Sequence, residues 1–192
     1  MQTDRILNLL KKTGAIMDGH FLLTSGRHSN IYIEKFRILE NPVALDKICK
    51  AMYSFVEDEN IEIVLGAAIG GILIAGGLGR YLGVKHIFSE RVNGLMELRR
   101  GFKIGNNQKV LIVEDIITTG GSVFELINLA EKNNADIVRI LNIVDRSPKG
   151  INFEIPSNSL INIPSQSWEE KKCPLCKEGK EIKFLGRSGK TL

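Results

Sequence analysis

Val110-Leu111-Ile112-Val113-Glu114-Asp115-Ile116-Ile117-Thr118-Thr119-Gly120-Gly121-Ser122 runs from an apolar strand through two adjacent acids into a turn of small residues. Val110 to Val113 is a short β-branched and aliphatic run of the kind that fills a central parallel strand buried on both faces. Adjacent residues of a strand point to opposite sides, so at least one of Glu114 and Asp115 faces the crevice beyond the strand's carboxyl end. A carboxylate there can hold ribose hydroxyls or a hydrated Mg²⁺. Val123 to Ala130 reads as a helix. Its free N–H groups, together with the hydroxyls and glycines of Thr118 to Ser122, form a cradle for an anion at the positive end of the helix dipole. The pattern predicts a phosphate and a sugar diol bound side by side. No Lys follows the glycines, as a Walker loop requires, and a dinucleotide fingerprint has no acid pair before its glycines.

Outward from this stretch, 192 residues that are 43% hydrophobic suit one globular domain with a substantial core. The longest apolar stretch, Ile69 to Leu78, is glycine-rich and too short to span a bilayer, and Met1 to Lys12 lacks a signal-peptide pattern, so a membrane role is not expected. A formal charge of +4 suits anionic ligands, and the scattered cations do not call for nucleic acid. Three cysteines, Cys49, Cys173 and Cys176, argue against a secreted disulfide scaffold and for a reducing cytoplasm.

Taken in order, Thr3 to Lys12 should be a short amphipathic helix, and Phe21–Ser29 with Asn30–Phe36 a β-hairpin with an exposed basic tip. Pro42 opens a helix to about Glu57 that carries Cys49 as an unactivated thiol. Ile61 to Gly66 reads as the first core strand, entering Ala67-Ala68-Ile69-Gly70-Gly71. Those glycines either turn N–H groups onto an anion or let the following helix, Ile72 to Tyr81, pack closely. Val84 to Ser89 is the next strand. Glu90 to Phe102 is a cation-rich loop or hairpin, read equally as a solvated face or as a cover for phosphates, with Arg91 the best candidate for a diphosphate contact. Asp136 to Val144 is a further buried strand that closes in Asp145-Arg146, where an Arg could pair a planar carboxylate or simply its neighbour.

The acid-acid-x-x-Thr-Thr-Gly-Gly-Ser string closely resembles the phosphoribosyl diphosphate (PRPP) signature of the type I phosphoribosyltransferases. The Phe21-Leu-Leu-Thr-Ser-Gly-Arg-His-Ser29 to Tyr32 stretch is similar to the hood over the base in orotate-using members of that family, as is Asp145-Arg146 to their orotate-recognising pair. The resemblance implies an α/β fold, a Rossmann-like parallel sheet flanked by helices, in a single domain spanning 1–192. Its core would be roughly 41–149, with a small hood built from roughly 1–40 and 150–192. It implies transfer of ribose 5-phosphate from PRPP to orotate, giving orotidine 5′-monophosphate and pyrophosphate in pyrimidine biosynthesis. The alternatives are a purine base, or a PRPP-sensing regulator without turnover. Glu114, Asp115 and Arg91 would carry catalysis. PRPP would be held by Arg91, by Glu114 through Ser122 (including Ile116, Ile117, Thr118, Thr119, Gly120 and Gly121), and by Ala68, Ile69, Gly70 and Gly71. Orotate would meet Thr118 and Arg146. Mg²⁺ would arrive with PRPP and water rather than on direct protein ligands, Asp115 being the one candidate side chain. The expected assembly is a homodimer, in the cytoplasm.

The chain departs from the family pattern in several places. Thr24 stands where a Lys is common, Ile69 or Gly70 where the pyrophosphate loop often has another, and no Lys or His follows Arg91 before Lys103. Arg99 and Arg100 are the available substitutes. In the tail, one Cys173-Pro-Leu-Cys176 without a nearby His in the sequence cannot complete a tetrahedral zinc site by itself, although two pairs across a dimer could; the expectation is free structural thiols. Gly186 to Lys190 reads as a flexible basic end.

Overall fold

A computed structural model describes residues 2–23 and 25–185. Thr24 and the basic end from Gly186 lie outside the described residues. The chain runs α1 (Gln2–Lys12), β1 (Ile16–Leu22), β2 (His28–Ile33), α2 (Phe36–Leu39), α3 (Pro42–Tyr53), β3 (Ile63–Ala67), α4 (Gly70–Leu82), β4 (Lys85–Val92) and β5 (Leu95–Leu98). It continues through β6 (Lys109–Ile117), α5 (Gly121–Lys132), β7 (Asp136–Asp145), β8 (Ser157–Asn162), a 3₁₀ turn (Glu170–Lys172), α6 (Pro174–Lys177) and β9 (Lys183–Phe184).

The main sheet has the order β5-β4-β3-β6-β7-β8, parallel except for the antiparallel edge strand β5. Its centre is apolar on both faces because helices cover both. Along β6, Leu111 and Val113 join Ile48, Met52, Ile74 and Leu78 of α3 and α4 on one side. Val110 and Ile112 alternate to the other side, against Val123, Leu126 and Ala130 of α5. Local signals fix the helix ends. Asn41 Oδ1 accepts from Ala44 N at 3.0 Å ahead of Pro42, and Gly83, at φ 70°, closes α4 in the left-handed region.

The crossover β3–α4–β4 leads one way along the sheet and β6–α5–β7 the other. The order therefore reverses between β3 and β6, and the loops leaving both strands open into one crevice.

The second sheet, β2-β1-β9, joins the two ends of the chain: β1 pairs antiparallel with β2 and parallel with β9. The hairpin differs from the sequence reading. Its first strand starts earlier, at Ile16, its register shifts between Asp18 and Phe21, and Phe36 opens α2 instead of ending a strand. The tip is only partly a solvated basic turn: Arg27 is exposed, but His28 is buried. Arg91 lies within β4, which extends to Val92 and turns at Asn93-Gly94 into β5, so the cation-rich stretch is a hairpin.

Candidate active site

Thr118 to Ser122 leave β6 and enter α5 through Gly120, which sits at φ 78° as the residue capping the helix, with no side chain bonded to the first-turn N–H groups. A β-carbon on Gly120 would meet Ile151 Cδ1 at 3.0 Å and Phe153 Cε1 at 3.1 Å, so both its conformation and its packing call for glycine. The turn encloses a cradle of about 60 Å³ bordered by Glu114, Ile116 to Ser122 and Val123. Thr118 and Thr119 are exposed beside it. N–H donors at a helix start, flanked by three hydroxyls, can hold a phosphate.

The two acids go separate ways. Glu114 borders the cradle, and its Oε1 accepts from Asp115 N at 2.9 Å. Burial, and then the neighbouring Asp115 charge, push its pKa up to about 7. Asp115 turns to the other side, where it is 2% exposed: Oδ1 accepts from Ile116 N at 2.6 Å and Oδ2 pairs with Lys35 Nζ at 2.7 Å. Of the two acids, Glu114 and not Asp115 therefore borders the cradle in this structure. Lys35, just past β2, is the partner of Asp115, and the sequence reading did not single it out. Only its position as a cation ending an apolar strand could have suggested it.

The second loop sits against Asp115. A β-carbon on Gly70 would overlap Asp115 Oδ2, and one on Gly66 would overlap Gly71 O. Gly71 in turn lies against Gly66 and Val113 O. The glycines of Ala67 to Gly71 thus serve close backbone packing, and they press the start of α4 onto the acid of the neighbouring strand. The Ala68–Ile69 peptide is cis, Ala68 N donates to Ser89 O at 2.9 Å, and Ile69 is 70% exposed at the loop's crest.

Arg146 follows β7, and its N donates to Ile117 O at 2.7 Å, which fixes it beside the Thr118 turn. The guanidinium is half-buried, donates from Nη2 to Ser165 Oγ at 3.4 Å, and its buried Nε has no partner. Among the described residues it meets no carboxylate; Asp145 Oδ1 accepts from Ser147 N instead. Burial pulls the pKa of Arg146 below the ordinary arginine value. Arg91 is not among the residues that border the cradle; it is bound to Gly94 O and, by both terminal nitrogens, to the Glu125 carboxylate on α5. Arg100 pairs with Glu90 at 2.9 Å, and Arg99 is exposed. Cys49 is buried between α3 and α4, with its thiol pushed up to about 12 by burial, and takes no part.

The family model of the phosphoribosyl transferase domain matches residues 36–172. This chain belongs to the phosphoribosyltransferase family. Among curated relatives of this phosphoribosyltransferase, the orotate phosphoribosyltransferase of Chlorobium phaeobacteroides is 43% identical over 100% of this chain and 99% of its own. That of Thermoanaerobacter sp. is 42% identical over 93% of this chain and 94% of its own. The crystal structure of the orotate phosphoribosyltransferase from Aeropyrum pernix superposes with a TM-score of 0.69 at 25% identity, covering 91% of this chain and 98% of that one. The α/β architecture read from the sequence, with its parallel-rich sheet, is thus the fold of this phosphoribosyltransferase.

Proposed function

We infer that this phosphoribosyltransferase transfers the ribose 5-phosphate of PRPP to orotate, releasing pyrophosphate and forming orotidine 5′-monophosphate for pyrimidine biosynthesis. The observation that carries the choice of base is Arg146, a half-buried guanidinium beside the phosphate cradle that meets no carboxylate among the described residues. A planar fork of donors in that state suits a carboxylated base, and a purine offers no such group.

In this reading the first-turn N–H groups and hydroxyls of Thr119 to Ser122 take the 5-phosphate, and Ala68 to Gly71 border the diphosphate. Glu114 accepts from the ribose hydroxyls, while Thr118 and Arg146 orient orotate. Asp115, locked to Lys35 and Gly70, keeps the two loops in register. The reaction passes through a cationic ribose, so placement of the partners and exclusion of water matter more than a protein nucleophile. When bound with PRPP, Mg²⁺ would supply charge to neutralise the leaving diphosphate. The buried oxygens of Asp115 meet Lys35 and Ile116 N, so Glu114 would be the carboxylate available to the ion through its water.

We further propose a homodimer in which the β4–β5 hairpin, bearing Arg91, Arg99 and Arg100, covers the diphosphate of a neighbouring site. Release of Arg91 from Glu125 would be part of that closure. Cysteines without a disulfide among the described residues suit a reducing cytoplasm.

The test follows pyrophosphate release from PRPP and Mg²⁺ with single bases: orotate should support turnover, and adenine, guanine and hypoxanthine should not. Arg146→Ala should weaken orotate binding by about 2 to 5 kcal/mol and leave PRPP affinity intact in calorimetric titrations. Equal weakening of both ligands, or an unchanged orotate affinity, would remove the base pocket from Arg146.

A further inference from the structure

The expectation of free structural thiols in the tail meets a different arrangement in space. His20 of β1 and His28 of β2 converge with Cys173 and Cys176, and the four ligand atoms all lie within 4.8 Å of one another. The register shift between Asp18 and Phe21 lets His20 and Phe21 both be buried, where regular alternation would expose one of them. We propose that His20 Nε2, His28 Nδ1, Cys173 Sγ and Cys176 Sγ bind one structural zinc ion that ties the C-terminal segment to the hairpin.

The distances fit a tetrahedron. Bonds of about 2.0–2.1 Å to nitrogen and about 2.3 Å to sulfur give N···S edges of about 3.6 Å and an N···N edge of about 3.3 Å. The N···S separations are 3.5 Å from Cys173 to His20, 3.8 Å from Cys176 to His20 and 3.3 Å from Cys176 to His28. The two nitrogens stand 2.8 Å apart and need to separate by about half an ångström to reach that edge. The proton positions agree as well. His20 Nδ1 lies 2.8 Å from Lys180 O, which can only accept, so Nδ1 carries the proton and Nε2 presents its lone pair to the cluster. Two thiolates and two imidazoles suit Zn²⁺ over the hard cations, and four protein ligands leave no open position for chemistry.

The tail has a use for such a tether. Its helical pieces are three and four residues long, β9 pairs with β1 over two residues, and among the described residues from Glu170 on only Cys173 and Leu175 are buried. Those contacts bury little apolar surface to offset the ordering of the chain. The segment just before it lines the base side of the candidate site. Ser165 accepts from Arg146, Gln166 O accepts from Ser29 Oγ at 2.9 Å, and Trp168 bridges to His28. A metal at the cluster would therefore hold that wall in place.

The test begins with elemental analysis of the full chain purified under reducing conditions without chelator, which should give about one zinc per chain. Refolding with Co²⁺ should yield the strong visible bands of tetrahedral cobalt and a thiolate-to-cobalt band in the near ultraviolet. Both signals should be lost in His20→Asn and in Cys176→Ser, and zinc removal should open residues 164–185 to limited proteolysis. The site is overturned if neither zinc nor Co²⁺ binds the reduced wild-type protein stoichiometrically, if the Co²⁺ spectrum survives in His20→Asn, or if mass analysis finds a Cys173–Cys176 disulfide in place of metal.

Discussion

The molecule has two glycine-rich turns from strand to helix, side by side at the same sheet edge, and glycine does different work in each. In Gly66 to Gly71 the glycines remove atoms: Gly66 and Gly71 press backbone on backbone, and Gly70 lies against the Asp115 carboxylate. In Thr118 to Ser122, Gly120 supplies a left-handed conformation, and a β-carbon on Gly121 would come no closer than 3.7 Å, to Thr119 Oγ1, among the described residues. One turn is a packed joint between neighbouring strands, and the other is an open cradle. Single glycines of the two loops therefore differ in their tolerance for a methyl group: Gly66 and Gly70 have no room for one and Gly121 does, while Gly120 excludes it by conformation and packing.

Substitutions sharpen that contrast. Gly66→Ala should be the most damaging, since its β-carbon falls on the Gly71 carbonyl, which belongs to the backbone and cannot swing away. A loss of about 3 kcal/mol or more is expected in urea denaturation; a midpoint equal to wild type would mean the joint is not tight. Gly70→Ala should leave the fold intact but displace Asp115 from Lys35. We expect turnover to fall by about 100-fold, the scale of a misplacement of about 1 Å at a reacting centre. Steady-state kinetics alongside circular dichroism separates this from unfolding.

Glu114 sharpens the comparison through pH. Its folded pKa of about 7 lies above the ordinary 4.5, so the native protein keeps a proton that the unfolded chain releases between those values. Its contribution to stability is therefore full below pH 4.5, declines as pH rises to about 7, and is flat above. Glu114→Gln should remove the decline, gaining on the order of 1 to 3 kcal/mol over wild type at pH 8 and little at pH 4.5. Wild-type affinity for PRPP should weaken as pH falls below about 7, while that of the variant should be weaker throughout and flat. Parallel pH profiles for the two proteins would take Glu114 out of the ribose contact.

Gly121→Ala should do least. Its β-carbon finds ordinary van der Waals space, so stability should stay within about 0.5 kcal/mol of wild type by thermal melting. A large loss there would show that the cradle is as tightly packed as the joint.

The sequence by itself determined the parallel sheet, the succession of its central strands and helices along the chain, and the small-residue turn into α5, because each is encoded within a few neighbouring residues. An apolar run followed by a small-residue turn and a helix start fixes its own geometry wherever it is placed, as Val110 to Ser122 shows. Alternation also said that Glu114 and Asp115 part company. Which of them borders the cradle depended on β6 continuing to Ile117, and on Lys35 and Gly70 waiting on the far side. Tertiary structure alone decided the Cys-His cluster. His20 and Cys173 are 153 residues apart, and their meeting depends on a register shift in β1 and on the tail's return beside it. No local period records such an encounter, because it arises from where whole elements pack and not from what any one of them prefers.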